Sequence, residues 1–556
     1  MLMLARPLRA VAVFALLLLA YLSFNSIKYS PNSALYILPS GFEAQSLKSR
    51  QIKFWQTLLP ILQDNAPDVT SPHTNGKVEA IGFNAANPPP RPSLISMRDG
   101  DLLKMQNAHT NFMQQAKTVS DLRPIVIPGS RGIVYTAGGS YLPVLVSSLR
   151  MLRRTGSNLP VEVFLKDHDE YETSICDKVI PSLNGRCVIL YDILSDDLAD
   201  SDSDSNRNQT STRSSEMLPN PKFEIAHYQL KIFAMLFSSF EEIVWLDADC
   251  FPLHDPEELL NSPPFQLTGM VTWPDFWISS ASPLYYRISQ QPIPYMGLRA
   301  SSETGQMLIN KKTHQTTLLL STYYNYYGPS HYFPLLSQGA PGEGDKETFL
   351  HAASAADEPF YATSASVAAI GHEKPDGGIA GSAMVQFDPS DEFRNYQRSL
   401  TNQHNHKIIL QQNFENKHSK LKWLIGKDNP KPLPQAIPTP PPRVFFIHAN
   451  YPKFNPATVF DESFETKPTY RPDGSDGRAW LVSRDTLARF GYDVERAYWE
   501  EIMWVACELE GNFKSWEGKK GICERVRRYW TNVFGDGEKD ADGVLGLWNT
   551  TTGVNP

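Results

Sequence analysis

The sequence of 556 residues has few cysteines, an excess of negative charge and one long apolar run, which lies at its start. Its five cysteines show no zinc-ligand spacing, which argues against a structural zinc site. A formal net charge of −8 argues against nucleic acid as the main partner, because phosphate binding needs a basic surface. The hydrophobic content of 41% and charged content of 20% indicate a globular protein with one large or two ordinary domains.

The apolar run, over residues 10–24, follows Arg6 and Arg9. Its length suits a thin bilayer of the early secretory pathway, and the preceding arginines favour a cytoplasmic N-terminus with a luminal remainder. A cleaved signal peptide is the alternative, although the bulky sequence LAYLSFNS offers no convincing cleavage site. We therefore expect a cytoplasmic tail over 1–9, a transmembrane signal anchor over 10–26 and a single-pass type II membrane protein.

The cysteine spacing fits a luminal protein. Cys176 and Cys187 are close in sequence, as are Cys507 and Cys523, so an oxidising lumen favours two disulfides. Cys250 would then be a small buried apolar residue. If the chain carried no anchor, all five cysteines could instead be reduced.

Two segments lack the apolar pattern of a packed core. Residues 27–125 lack sustained apolar periodicity and contain NAANPPPRP, which is typical of a stem, although RQIKFWQTLLPILQ could form one short helix. Residues 195–215 are acidic and serine-rich, which predicts a disordered surface insertion. Glycosylation sequons occur at Asn208 and Asn549, although such triplets also arise by chance.

The ordered region begins with a strand, a helix and a second strand. Gly132–Ala137 predicts a buried strand, Tyr141–Arg154 an amphipathic helix, and LPVEVFL the next strand. This order implies a parallel pair with a right-handed crossover, the start of a nucleotide-binding α/β sheet. Gly138 and Gly139 at the first turn could let a nucleotide donor approach the backbone, but plain turn chemistry explains them equally well.

Two aspartates follow another predicted strand. The apolar residues Ile243–Leu246 end at Asp247, and Asp249 comes two positions later. Ligands of open α/β sheets bind beyond the carboxyl ends of strands, and two carboxylates this close repel unless a cation lies between them. Manganese or magnesium would supply that cation and can bridge a diphosphate. A pair of turn or helix caps is the alternative, but the preceding strand and the following turn and helix favour a metal site.

A late strand and an earlier helix offer further charged groups. The strand Val444–Ile447 ends at His448, which could complete a manganese shell, or be a histidine satisfied inside the core. Lys453 could neutralise charge on a departing diphosphate. Lys231, on the helix before the aspartates, could reach a donor phosphate, or could extend to the surface.

Taken together, the motifs LDAD, ETGQMLINKK, GDKETFLHAA and FFIHANYPKFNP resemble the fungal α-mannosyltransferases of glycosyltransferase family 71. The resemblance covers residues 130 to 515. Members of that family are type II Golgi enzymes that add α-mannose from GDP-mannose to mannan or N-glycan branches. The resemblance implies a GT-A-like catalytic domain over 126–515 with a mainly parallel sheet, a divalent cation at the aspartates and retention of configuration. Residues 516–556 would form a C-terminal helical extension and tail.

The resemblance also implies roles for the acids of GDKETFLHAA. By analogy with related GT-A enzymes, Asp345 would bond the hydroxyls of the donor mannose. If the reaction proceeds by a covalent double displacement, Asp345 and Glu347 are the candidate catalytic carboxylates. A helix N-terminus with acids in its first turn is the alternative for both. The spacing of His448 and Lys453 resembles that of glycogenin-like transferases, where the gap is one residue longer.

Two further motifs are expected to line the sugar pockets. Gly305 would allow close approach of the donor. A combination of aromatic rings and acids suits an acceptor sugar, although tryptophans are more often core residues. The predicted acceptor-binding set is Trp273, Asp275, Trp277, Glu303 and Gln306.

The sequence therefore predicts a Golgi α-mannosyltransferase that acts on mannose-containing glycans, with α-1,2 linkage favoured over α-1,3. It could also belong to a Golgi mannosyltransferase complex. A glycoside hydrolase would need two carboxylates on opposite sides of the bond, which an adjacent pair cannot provide. A non-catalytic Golgi glycan-binding or scaffolding paralogue is the other alternative, although the aspartates and the late histidine that such a protein could lose are present.

Overall fold

The structure is a computed structural model that describes residues 38, 41–195, 225–376, 379–402, 440–463, 465–481 and 484–535. Its strands are β1 (Arg131–Thr136), β2 (Val161–Leu165), β3 (Gly185–Ile189), β4 (Glu242–Leu246), β5 (Cys250–Pro252), β6 (Met270–Ile278), β7 (Ala300–Asn310), β8 (Tyr361–Ala362), β9 (Ala368–Glu373), β10 (Ile379–Phe387) and β11 (Val444–His448).

The helices of nine or more residues are α1 (Gly41–Asp64), α2 (Asp99–Thr118), α3 (Leu142–Arg154), α4 (Gln229–Phe237), α5 (Gln315–Tyr326), α6 (Thr348–Ala356), α7 (Pro389–Asn402), α8 (Val494–Glu508) and α9 (Ile522–Phe534). Shorter helices are Ile180–Ser182, Tyr191–Leu194, Glu257–Leu260, Pro263–Thr268, Pro283–Ile288, Phe333–Ser337 and Arg484–Phe490.

A seven-stranded sheet in the order β3-β2-β1-β4-β7-β6-β8 forms the centre of the fold. The pairs β3/β2, β2/β1 and β1/β4 are parallel, whereas β7 runs antiparallel to both of its neighbours. Every residue of β2 is buried, as expected for a strand whose faces are both covered by helices. The predicted α/β class with a mainly parallel central sheet is confirmed.

A smaller antiparallel sheet, in the order β5-β11-β10-β9, packs beside the first. Its edge strand β5 begins at Cys250, directly after the two aspartates. The register pairs Cys250 with His448 of β11. This pairing brings together two segments that lie about two hundred residues apart in the sequence.

The prediction of a stem over residues 27–125 is wrong for the part from residue 41 onward. Helix α1 buries Phe54 and Trp55 against aromatic rings of α4, with ring centroids 5.7 to 6.3 Å apart. In α2, Phe112 stacks on Tyr323 of α5 at 4.5 Å. Polar residues interrupt the apolar pattern of both helices, so the sequence understates their burial. The short helix expected for RQIKFWQTLLPILQ is confirmed as part of α1.

Several predictions fall outside the described residues. These are the cytoplasmic tail and anchor over 1–26, most of the acidic insertion, both sequons and the chain after residue 535. Among the described residues, no helix combines the length and apolar character needed to cross a membrane. The predicted C-terminal helix is present as α9, which packs on α8.

Both predicted disulfides are formed in the structure. Cys176 is bonded to Cys187, and Cys507 is bonded to Cys523. Cys250 is a buried free thiol, as expected. The first disulfide ties β3 to the helical segment Ile175–Val179, and the second joins α8 to α9.

Candidate functional site

The candidate site lies where the order of the parallel strands reverses. The chain runs β1, β2, β3 in one direction across the sheet and then returns to place β4 on the other side of β1. Asp247 comes directly after β4, and Gly138 lies two residues after β1. In open α/β sheets, the crevice outside the carboxyl ends of such strands is the usual ligand site. The aspartates therefore lie where nucleotides bind in this class of fold.

Asp247, Asp249 and His448 converge at this edge. The Nε2 atom of His448 lies 3.2 Å from Oδ1 of Asp249 and 4.0 Å from Oδ2 of Asp247. The three side chains offer ligand atoms that all lie within 4.8 Å of one another. The structure thus brings together the three predicted metal ligands, and the alternative of a histidine satisfied in the core without functional partners is not favoured.

The residues present fit a hard or borderline divalent cation. Two carboxylates and an imidazole are ligands that suit Mn²⁺, and Mg²⁺ accepts the carboxylates. Gly305 makes room for the imidazole, since a Cβ at this position would lie 2.3 Å from Nδ1 of His448. The predicted role of Gly305 was close approach of the donor, but its described contact is with the histidine.

The electrostatics of the site favour positive charge at its centre. Burial lowers the pKa of His448, but the carboxylates of Asp249 and Glu303 overcome this effect and raise it to about 10. Burial raises the pKa of Asp249, yet Lys453 and His448 hold that pKa well below its usual range. A fully buried carboxylate thus stays ionised because of the cationic groups around it.

Glu303 contacts the imidazole of His448, and Gln306 in turn contacts Glu303. Oε1 of Glu303 accepts hydrogen bonds from the Gly305 N–H at 2.6 Å and lies 3.0 Å from Nδ1 of His448. Its other oxygen accepts from the Gln306 amide at 2.6 Å. Both side chains were predicted to bind acceptor, but this buried network assigns them to positioning His448. Such carboxylate–histidine pairs orient metal-binding imidazoles.

Lys231 is a buried part of the site, so the alternative of a surface lysine is wrong. Its Nζ lies 3.1 Å from Asp247, 3.3 Å from Asp345 and 2.9 Å from the Thr304 carbonyl oxygen. Burial lowers its pKa, but the carboxylates of Asp247 and Asp345 raise it above the usual lysine value. Lys231 therefore holds a positive charge next to the predicted metal ligands.

Lys453 approaches from the loop after β11. Its ammonium group forms an ion pair with Asp249 and lies 5.8 Å from the centre of the Tyr141 ring. Asn455, two residues later, donates to the Ser140 carbonyl oxygen at 2.9 Å. The loop is thereby fixed against the turn after β1. Lys231, Lys453, Asp247, Asp249 and His448 together are called the carboxyl-end cluster below.

The glycine turn after β1 is explained by packing. A Cβ on Gly138 would lie 2.2 Å from the carboxyl carbon of Glu170, so no larger residue fits without a shift. Gly139 has φ +50°, a left-handed conformation that glycine adopts readily. Packing accounts for Gly138 and backbone conformation for Gly139, and their role in donor binding stays a prediction.

Asp345 and Glu347, two residues apart, have different surroundings. Burial and the neighbouring Asp247 raise the pKa of Asp345 to about 6, although Lys231 opposes this shift. Glu347 accepts hydrogen bonds from the Ser301 hydroxyl at 2.7 Å and the Ser302 N–H at 2.6 Å. Asp345 is joined to the carboxyl-end cluster through Lys231, whereas the contacts of Glu347 tie α6 to β7.

Glu347 also carries a pKa that differs from that of Asp345. Burial raises the pKa of Glu347, but His351, whose Nδ1 lies 3.1 Å away, and Arg299 hold it well below the usual range. With 0% exposure and these partners, Glu347 is better explained as a structural acid than as a nucleophile. Asp345 thus remains the stronger catalytic candidate.

Trp273, Asp275 and Trp277, which were predicted to bind the acceptor, fall into two groups. Trp273 is 1% exposed, donates to the Phe387 carbonyl oxygen at 2.9 Å and packs on Phe446, so it belongs to the core and not to an acceptor surface. Asp275 and Trp277 are half-buried, and Asp275 forms an ion pair with Lys346 at 2.7 Å. These two residues remain candidates for sugar contacts.

Two residues at the site, Trp245 and Tyr141, were not predicted for it. Trp245 donates from its indole N–H to Oδ1 of Asp247 at 3.1 Å, and the Thr304 carbonyl oxygen accepts from the same group. Tyr141, 45% exposed, faces Lys453. The tryptophan two residues before the aspartate was the one available signal, because alternate strand residues share a face.

Comparison with known proteins gives a consistent set of relatives. Residues 130–297 and 292–388 match the protein family described as "Mannosyltransferase putative". The chain is 32% identical over 471 residues to alpha-1,2-mannosyltransferase MNN21 of Candida albicans. The aligned region covers 78% of this chain and 66% of that protein. It is 28% identical over 479 residues to alpha-1,2-mannosyltransferase MNN2 of Saccharomyces cerevisiae, which spans 79% of this chain and 74% of that protein.

The chain thus covers just under two thirds of the Candida protein's own length. Among solved structures, the glycosyltransferase GlyE of Streptococcus pneumoniae overlaps 39% of this chain and 42% of its own. That overlap has 12% sequence identity and a TM-score of 0.23, which is too low to support an inference.

Proposed function

The chain belongs to the fungal mannosyltransferase family that these matches define, and from this membership and its site we propose that it transfers mannose from GDP-mannose to an α-mannoside. The observation that carries the proposal is the convergence of Asp247, Asp249 and His448 at the carboxyl end of β4. A nucleotide diphosphate needs a bridging cation, and this group of ligands suits Mn²⁺ or Mg²⁺.

In this proposal, Asp247, Asp249 and His448 would hold the divalent cation. When bound, the cation would offset the negative charge that grows on the departing diphosphate. Lys453, whose side chain is 36% exposed, would bind a phosphate oxygen directly. Lys231 forms an ion pair with Asp247 at 3.1 Å from the buried side of the site. Preorganised charges of this kind stabilise a transition state without reorganisation during the reaction.

We further propose retention of the anomeric configuration, as implied by the family resemblance. The acceptor hydroxyl would attack from the face of the leaving group, through an oxocarbenium-like state. Asp345 would contact the hydroxyls of the donor mannose. Because Asp345 is buried next to Lys231, it is also the carboxylate of choice if a covalent intermediate forms.

The linkage we propose is α-1,2. Both relatives described above carry alpha-1,2-mannosyltransferase in their names. The acceptor would be a mannose-containing outer chain of an N-glycan or of mannan. Assembly into a Golgi mannosyltransferase complex is compatible with this role.

We propose a location in the Golgi membrane as a single-pass type II protein with a luminal catalytic domain. The two disulfides agree with an oxidising compartment. Protection of the catalytic domain from protease in intact Golgi vesicles is the expected result. Digestion of that domain without detergent would contradict the proposed orientation.

The test of the activity uses the purified full chain with GDP-mannose, α-1,2-mannobiose and Mn²⁺. We expect release of GDP and a trisaccharide whose new linkage NMR identifies as α-1,2. Asp247→Ala should give no turnover. A parent protein that is inactive with all nucleotide-sugar donors would instead favour the non-catalytic alternative.

A further inference from the structure

A cavity of about 1140 Å³ involves the N-terminal part of the fold and is lined in part by Asp275, one of the predicted acceptor residues. One wall comes from residues 80–89, which precede the catalytic sheet, a second from β6 and the loop before β7, and a third from β8, the loop after it and α7. Side chains that line it include Phe83, Asn87, Asp275, Phe276, Arg299 and Tyr396. The metal ligands Asp247, Asp249 and His448 do not line it, so this space is distinct from the donor site.

The N-terminal wall is built into the fold. The Phe83 N–H donates to the Phe276 carbonyl oxygen at 2.9 Å, and the Ile278 N–H donates to the Ile81 carbonyl oxygen at 2.9 Å. Residues 81–83 thereby extend the edge of β6. A Cβ on Gly297 would lie 2.6 Å from the Ala85 carbonyl oxygen, so glycine permits the close approach on the other side.

Side chains further along the segment fix it to the catalytic domain. Arg91 donates to the carbonyl oxygens of Ala281 and Pro294 at 3.1 and 3.0 Å. Gln338 accepts from the Leu94 N–H at 2.7 Å and donates to the Pro92 carbonyl oxygen at 3.1 Å. The cavity wall is therefore preorganised, which lowers the entropy cost of binding a ligand there.

Asp275 connects the cavity to the carboxyl-end cluster. It lines the cavity and forms an ion pair with Lys346 at 2.7 Å. Lys346 follows Asp345, which lies 3.3 Å from Lys231, and Lys231 lies 3.1 Å from Asp247. The cavity is thus linked to the predicted metal ligands through three ion pairs and the peptide bond between Asp345 and Lys346.

The size and lining of the cavity suit an oligosaccharide. Ligand pockets typically measure about 300–1,000 Å³, so this cavity has room for more than one sugar ring. Aromatic faces next to amide, carboxylate and guanidinium groups match the alternating apolar faces and hydroxyls of a sugar chain. Both signs of charge are present, through Asp275 and Arg299, which does not favour a purely anionic or cationic ligand.

We propose that this cavity binds those mannose residues of an extended acceptor chain that lie beyond the one carrying the reacting hydroxyl, and that residues 81–87 form part of the acceptor site. The inference rests on the proposed mannosyltransferase function. It assigns a binding role to a segment that the sequence predicts as a stem. It also explains why the segment is fixed to β6 and to the loop before β7.

The experiment compares methyl α-mannoside with α-1,2-mannotetraose as acceptors for the full chain. The length preference, defined as the KM for the monosaccharide divided by that for the tetrasaccharide, should be well above one for the parent. We expect Phe83→Ala to reduce this ratio about tenfold, because the variant loses one aromatic contact with the sugar chain. Tyr492→Ala, an exposed tyrosine outside the cavity, is the matched aromatic control and should keep the ratio of the parent.

Asn87→Ala is a second variant, since Asn87 is exposed and its removal should leave the fold intact. A lowered ratio in either folded variant supports the proposal. An unchanged ratio in both, or a parent without length preference, overturns it. These outcomes differ from failure of the proposed function, in which the parent would transfer mannose to neither acceptor and release no GDP.

Discussion

Charged side chains cluster at both the carboxyl and the amino ends of the parallel strands, and the two clusters differ in how completely other protein groups satisfy their charges. At the carboxyl end, Asp247 and Lys453 retain 28% and 36% side-chain exposure. At the other end, the side chain of Glu162 is fully buried. The exposed carboxylate and ammonium of the carboxyl-end cluster can still bind a ligand, whereas Glu162 cannot.

The second group, called the amino-end cluster, is closed by its own hydrogen bonds. Glu162 accepts from the hydroxyls of Ser238 and Ser239 at 2.8 and 2.6 Å and from the guanidinium of Arg186. Burial raises the pKa of Glu162, but Arg186 and Ser239 hold it below the usual value. Lys311 completes the cluster and donates to three backbone carbonyl oxygens at 2.7 to 3.1 Å.

This difference separates function from stability within one sheet. When buried charged groups make their hydrogen bonds to other protein groups, they hold elements of the fold together. Carboxylates that stay ionised because of nearby cationic side chains, in a cluster that is partly exposed, can bind a charged ligand. The carboxyl ends of the strands therefore carry the chemistry, and the amino ends stabilise the frame that positions it.

The largest expected effect is on catalysis. Asp249→Asn should lower kcat/KM for mannosyl transfer by about 10³-fold, since it removes a charged metal ligand, while the melting temperature changes little. The matched control is Asp68→Asn, because Asp68 is 90% exposed and far from the site in sequence. Equal activity in both variants would remove the distinction between the clusters.

At the amino end, the expected effect is on stability. Glu162→Gln should lower the free energy of unfolding by about 3 kcal/mol, because the ion pair between the fully buried Glu162 carboxylate and Arg186 would be lost. Urea denaturation measures this change. Turnover per folded molecule should match the parent, and a large loss of turnover in the fully folded variant would show that the amino end also serves catalysis.

A smaller effect is expected for the residue that positions His448. Glu303→Gln should weaken Mn²⁺ binding by about 10–100-fold, since the carboxylate no longer orients the imidazole. Calorimetric titration with Mn²⁺ measures the affinity. An affinity equal to that of the parent would mean that Gly305 and the β5–β11 pairing fix the histidine without help from Glu303.

The smallest effect concerns pH. Burial lowers the pKa of Lys311 to about 7, so above that pH the unfolded chain binds a proton that the folded protein does not. The parent should therefore gain stability relative to Lys311→Met between pH 7 and pH 9. Denaturation at both pH values gives the difference. A difference that shrinks or stays constant with rising pH would show that the three carbonyl oxygens keep Lys311 charged.

The sequence was most informative where function depends on local pattern. An apolar strand followed by Asp247 and Asp249 places both acids at a strand end, and a second strand does the same for His448. Periodicity identifies such strands because a buried parallel strand is a short continuous apolar run. The fold class and the convergence of the three candidate metal ligands could therefore be inferred before the structure.

Contacts between distant segments could not be inferred in the same way. Lys231 and Glu303 owe their roles to burial next to residues that lie far away in sequence. The same is true of helix α1, whose aromatic residues are covered by α4. Trp273 and Glu347 are the converse case, since their residue types suit a site but tertiary packing makes them structural.

The most direct test of the central claim is the number of Mn²⁺ ions bound by the full chain in the presence of GDP, measured by electron paramagnetic resonance. We predict one tightly bound ion for the parent protein and a loss of that ion in Asp249→Asn. Equal Mn²⁺ binding by parent and variant would contradict the assignment of Asp247, Asp249 and His448 as the metal site.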